Sequence, residues 1–231
     1  MCIKRLHDVG VDITSFICDG LSCNFSMLHE LGAQLKLPDI RLYFLHPLNQ
    51  EKKIYIFLDV CHMLKLVRNT LGDGGMLFDK DENKVCWEYL AELQKLQTKE
   101  GLRLGNKLKF SHIQWWQQKM KVNLAAQTFS ASVADAIDYC KETLKRPRFQ
   151  GSEGTVKFVR TFDHLFGILN SRNPCAKGFK AALRKSNKDS WEPFLDEARE
   201  YIIGLKNASG DLMYTTVAKL ALLGFLWQLI A

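Results

Sequence analysis

The sequence predicts an α/β protein that becomes mostly α-helical after its first third, and three observations carry this reading. Two short, β-branched or aromatic apolar runs, VDITSFIC at 11–18 and IYIFL at 54–58, each stop at an aspartate, as buried strands do. A helical stretch separates them, and strands joined through a helix pair in parallel by a crossover. Beyond residue 75 the apolar residues recur at three- and four-residue steps, the period of amphipathic helices.

In order, residues 3–9 read as a helix stopped by Gly10, and 11–18 as a buried strand closed by Asp19-Gly20. Residues 24–31 read as a helix with Gly32 beyond it. A loop around Pro38 and Pro47 then leads to the strand 54–58 and the helix 61–71. Ligands of such sheets gather at the strands' carboxyl ends, where Asp19 and Asp59 stand. A carboxylate there is either a metal ligand or the cap of a turn or helix. LGDGG and DKDEN read as a polar loop, followed by helices over 87–102, 133–144, 156–170 and 191–205. Residues 146–154, with Pro147, Gly151 and Gly154, form a break, and 173–189 a basic loop.

The stretch 105–137 (GNKLKFSHIQWWQQKMKVNLAAQTFSASVADAI) has no Pro, and no Gly after Gly105. Its apolar Ile113, Trp116, Met120, Leu124, Phe129, Val133 and Ile137 predict one amphipathic helix with a buried face. Lys107, Lys109, Lys119 and Lys121 mix with Ser130 and Ser132, and no acid follows until Asp135. That mixture suits a phosphate; a basic surface helix over an ordinary core stripe is the plainer reading.

The 231 residues are 47% hydrophobic, enough for a sizeable core. Their 32 basic and 25 acidic side chains leave a net charge of +7, which favours polyanionic partners. Seven cysteines are scattered without a C-x-x-C pair, so a disulfide framework or structural zinc is not expected, and a reducing, intracellular setting is. The apolar run 220–230 contains Gln228 and is shorter than the roughly 20 residues of a membrane helix. Asp79, Asp81 and Asn83 open like a calcium loop, but Lys84 and Leu90 stand where Gly and Glu are required. No P-loop and no G-x-S-x-G elbow occurs.

Five ordered motifs, CDGLSCN (18–24), LDVCHMLKLVRNTLGD (58–73), GLRLGNKL-x-x-x-HI (101–113), KMKVNLAAQTFSASVA (119–134) and FGILNSRN (166–173), resemble P element transposases and their THAP-domain relatives. The resemblance implies an RNase H-like catalytic domain interrupted by a mostly helical GTP-binding insertion. It divides this chain into a partial RNase H-like segment (1–74), the insertion (75–205) and the start of the return to the catalytic domain (206–231). Asp19 resembles the second of three catalytic acids and a ligand of Mg2+ in a complete catalytic site. The sequence contains no QDHLE for the final acid, no candidate for the first and no zinc-binding THAP module. A transposase fragment that keeps GTP binding without cleaving DNA on its own is therefore expected.

Lys107, Lys121, Val122, Ser130, Phe166 and Asn170 occupy positions resembling the family's nucleotide contacts. Where relatives read F-D-x-x-N, this chain has Gly167, so a carboxylate expected beside guanine is missing; Asp163 lies one helical turn away. The implied partners are GTP and transposon-end DNA, in the nucleus, with no membrane and with homo-oligomers allowed. The alternative is a non-enzymatic, domesticated nucleic-acid-binding or interaction protein that places Lys65, Arg68 and the loop 177–188 on phosphates.

Overall fold

The computed structural model describes residues 2–35, 40–101, 103–215 and 224–225. Its first part is built on a three-stranded sheet of order β1-β3-β2, with β1 Ser15–Cys18, β2 Tyr43–His46 and β3 Asn49–Leu58. β1 and β3 run parallel with Cys18 opposite Leu58, joined through helix α2 (Ser22–Glu30) and β2, while α1 (Cys2–Asp8) precedes the sheet. β3 ends at Asp59, whose side chain accepts from the Cys61 N–H and starts α3 (Val60–Gly74). The helix and strand order read from the sequence is present.

Two features of the sheet differ from the expectation. The region around Pro47 is a tight turn that pairs β2 antiparallel to β3, with Phe44 opposite Ile54. The strand 11–18 shortens to four residues and lies at an edge of the described sheet, leaving Ile17 66% exposed. The inward face is well covered, because Leu28 and Ala33 from the α2 region pack on Phe44, Ile54 and Ile56.

The expected polar loop is instead a hairpin, β4 Met76–Phe78 and β5 Lys84–Cys86. Asp79 is buried at its turn and accepts from the Asp81 and Asn83 backbone N–H groups at 2.9 and 2.8 Å and from Asn83 Nδ2 at 3.0 Å. An acid that looks solvated in sequence thus closes an Asx-type turn. Helix α4 (Trp87–Glu100) follows.

The single helix expected over 105–137 is broken into α5 (Phe110–Ile113), a 3-10 turn at Trp115–Gln117, α6 (Val122–Thr128) and α7 (Ala131–Glu142). Phe129, Val133 and Ile137 are buried as the periodicity requires, but Trp116 and Met120 are 54% and 73% exposed. The cause is tertiary. Arg68 Nη2 on α3 donates to the carbonyls of Gln118 and Lys119 at 2.9 and 3.1 Å, diverting acceptors that a continuous helix would use. Trp115 packs on α3 where position 72 is glycine, and a Cβ there would lie 2.4 Å from its indole Nε1.

Helix α8 (Glu153–Leu169) packs on α7 and the β4–β5 hairpin, and α9 is Lys188–Ile203. Gly154 lets α8 approach the hairpin, since a Cβ would meet the Lys84 carbonyl oxygen at 2.5 Å. Thr155 Oγ1 accepts from the Cys86 N–H at 2.9 Å in the same contact. Phe129, Phe158, Phe162 and Phe225 form an aromatic centre in a core continuous with α3. Beyond α9, Lys206 exchanges backbone hydrogen bonds with Phe78 of β4. Most of the expected return segment, residues 216–223 and 226–231, lies outside the described residues, as does Pro38.

Candidate functional site

Asp19 and Asp59 follow neighbouring parallel strands, and the Asp59 N–H donates to the Cys18 carbonyl at 2.7 Å, so the two acids share one end of the sheet. Asp19 Oδ1 accepts from Asn24 Nδ2 at 2.7 Å and from the Leu21 N–H at 3.3 Å. Asp59 is the α3 cap, with Oδ1 3.0 Å from the Cys61 nitrogen. His62 is held below its ordinary pKa by burial and Lys65, against the opposing pull of Asp19 and Asp59. Among the described residues no group of three or more His, Cys, Asp or Glu side chains converges as a metal site.

A cleft of about 570 Å³ opens where α6, the start of α7, α8 and the turn after α8 meet. It brings together Lys107, Ser130, Phe166 and Asn170, residues far apart in the chain that the motif resemblance singled out. The 3.6-residue period puts Phe166, Gly167 and Asn170 on one face of α8. Ser130 Oγ donates to the Gln127 carbonyl at 3.0 Å and lies 3.1 Å from Ser132 Oγ, which fixes a pair of hydroxyls at the α6–α7 junction. Lys121 and Val122 open α6 and are not among the lining residues; Ala126 and Gln127, one to two turns later, are.

The cleft also contains Arg172 and Lys180, which the sequence reading did not place there, and Asp163, which it put one helical turn from the position expected beside guanine. Arg172 lies inside the FGILNSRN motif and Lys180 inside the basic loop, so both were visible as residues but not as neighbours of Ser130. Gly167 is covered by the 3-10 turn Gly178–Lys180, since a Cβ at 167 would sit 3.0 Å from the Phe179 carbonyl oxygen. His164 stacks on the Phe179 ring at 3.9 Å and holds that turn against α8.

The cations named for a phosphate-binding alternative divide into two sets. Lys65 and Arg68 are buried, 8% and 0% exposed, on a helix that packs against α6, α8 and the turn Trp115–Gln117. Arg68 is withdrawn from any external phosphate and Lys65 is largely covered, which corrects that expectation. The cations of the loop, Lys177, Lys180, Arg184, Lys185 and Lys188, are exposed.

Residues 61–182 match the family described as TNP-like, GTP-binding insertion domain, and residues 1–32 match TNP-like, RNase H N-terminal domain. The chain belongs to this TNP-like family, and is a transposase-like protein related to P element transposase. It is similar to the human DNA transposase THAP9, 31% identical over 227 residues, which is 98% of this chain and 25% of that protein. It is also similar to the Drosophila melanogaster transposable element P transposase, 28% identical over 171 residues, 74% of this chain and 22% of that one. The chain thus spans about a quarter of the length of these relatives. The fold is that of a chain in the Drosophila P element transposase strand transfer complex, with a TM-score of 0.80, 23% identity, and coverage of 99% of this chain and 49% of that one.

Proposed function

We propose that the chain binds a purine nucleoside triphosphate, GTP, in the cleft between α6, α7 and α8. The observation that supports this reading is the convergence of Lys107, Ser130, Phe166 and Asn170 on one cavity, joined by Arg172 and Lys180. Its volume of about 570 Å³ lies within the roughly 300–1,000 Å³ common for small-ligand sites. Lysine and arginine neutralise phosphate oxygens, the hydroxyl pair offers donors, Phe166 gives the base an apolar face and the Asn170 amide can pair with its edge. Lys121 stands five residues before Ala126, about 7 Å along a helix axis, and in this reading it and the Val122 main chain reach the outer phosphates.

Calorimetry is the direct test. GTP should bind, and Lys107→Ala should weaken it by roughly 1.5–3 kcal/mol, the scale of one charge-assisted contact. Unchanged affinity in that variant places the nucleotide elsewhere.

In the same reading Asp19 is one carboxylate of a DNA-cleaving centre acting on transposon ends in the nucleus. These 231 residues tested alone should leave DNA uncut with Mg2+ or Mn2+, since two-metal chemistry needs several fixed carboxylates. Metal-dependent nicking that disappears in Asp19→Ala would overturn this expectation. The non-enzymatic reading retains one supporting observation, the exposed basic loop. DNA binding that weakens with salt and ignores GTP is its signature.

A further inference from the structure

The segment between α4 and α5 forms neither helix nor strand, so several of its backbone N–H groups are taken up by side chains. Gln97 Oε1 accepts from the Leu104 N–H, Asn106 Oδ1 from the Leu108 N–H and His112 Nδ1 from the Lys109 N–H, each at 3.0 Å. His112 belongs to the GLRLGNKL-x-x-x-HI motif, of which the nucleotide reading uses only Lys107. It is 1% exposed, and its other ring nitrogen, Nε2, lies 3.0 Å from Gln127 Oε1 on α6.

The two bonds of the ring determine each other. A backbone N–H can only donate, so Nδ1 is unprotonated and the imidazole proton sits on Nε2. Nε2–H in turn needs an acceptor, which fixes the Gln127 amide with its oxygen toward His112 and its N–H2 end away from it. Burial pushes the His112 pKa down; the bonds to Gln127 and to the Lys109 backbone oppose this, and the Lys109 and Arg68 cations add to the fall. Gln127 lines the cleft together with Lys107 and Ser130. Its Nε2 has no partner among the described residues and is not a buried atom.

We infer that Gln127 is a further binding residue of the cleft, its amide N–H2 donating to an oxygen of the bound nucleotide, and that His112 is the positioning residue that holds the amide in this orientation. This inference rests on the nucleotide reading of the cleft. Without His112 the amide is free to turn its carbonyl toward the ligand, where it would set acceptor against acceptor on a phosphate or sugar oxygen. The same ring ties the segment that carries Lys107 to α6, so one neutral imidazole sets two cleft-lining residues relative to each other.

The experiment measures GTP binding by calorimetry for the native chain, Gln127→Ala, His112→Leu, His112→Gln and the double variant of Gln127→Ala with His112→Leu. Gln127→Ala and His112→Leu should each lose about tenfold, the scale of one hydrogen bond. His112→Gln, whose amide nitrogen can stand in for Nε2, should recover most of that loss. Adding His112→Leu to Gln127→Ala should cost less than about a further twofold, because the two side chains act as one unit. Nitrogen NMR of the native chain at neutral pH should show His112 as the neutral Nε2–H tautomer, a readout that no folding defect of a variant can disturb. A native Nδ1–H tautomer or imidazolium overturns the assignment, as do GTP binding unchanged in Gln127→Ala and losses that multiply in the double variant; each leaves the cleft a nucleotide site. A native chain that binds no GTP overturns the nucleotide reading itself, and this inference with it.

Discussion

Phe162→Ala is expected to destabilise the protein by about 3–5 kcal/mol, as for other large aromatic truncations in packed cores. Phe162 is fully buried at the centre of α8, with ring centroids 4.6 Å from Phe158, 5.3 Å from Phe225 and 6.3 Å from Phe129. Those partners come from three separate parts of the chain, so the cavity left behind has no single flexible neighbour to collapse into it. Edge-on and tilted ring pairs add to the loss beyond burial alone. For a chain of this size each kcal/mol moves the melting temperature by about 2–4 °C, so the fall should be roughly 6–20 °C. Denaturant titration with a common slope checks the figure, and a loss under about 1 kcal/mol would show that the aromatic centre is loosely packed. Because α8 also carries Asp163 and Phe166 and is capped by Asn170, nucleotide binding should weaken with it.

Arg68→Ala should cost a comparable amount, about 3–5 kcal/mol, for a mixed reason. The side chain is fully buried, its Nε donates to Asn69 Oδ1 at 2.8 Å, and its Nη2 supports two carbonyls about fifty residues away. Truncation empties the volume and leaves the Lys119 carbonyl without that donor, while the Gln118 carbonyl keeps the Lys121 N–H at 3.0 Å. Arg68→Met separates the two terms. It refills most of the stem volume but supplies no donor, so it should recover the cavity part and retain about 1–3 kcal/mol from the stranded acceptor. Trp115 and Trp116 border the affected turn, which makes their fluorescence a local probe beside the global unfolding curve. If Met and Ala are equally damaging, the donors dominate; if Met is neutral, the carbonyl contacts contribute nothing net.

Local rules made much of the first part readable. Asp59 caps α3 through a bond to a nitrogen two residues on, and Gly10 and Gly32 stand just past helices; β1 does pair parallel with β3, but by a connection that includes β2 as well as α2. Each helix-end signal acts within a few residues, so no partner elsewhere in the chain is needed to see it. β2 and the β4–β5 hairpin were missed because strands of three or four residues carry too few alternations to declare a period. Asp79 and its neighbours read as solvated until the turn buries the carboxylate against backbone donors.

The sequence by itself determined the α/β-to-helical order, the family resemblance and the residue types suited to a triphosphate, since helix period, caps and contiguous motifs are written in neighbouring positions. Only the tertiary structure decided where the stretch 105–137 breaks, because Arg68 and Gly72 act on it from α3. It alone gathered Lys107, Ser130, Phe166 and Asn170 with Asp163, Arg172 and Lys180 into one cleft. A cleft is set by how α8 and the turn after it pack on the α6–α7 junction, and side chains separated by up to seventy-three residues acquire a common chemistry only through that packing.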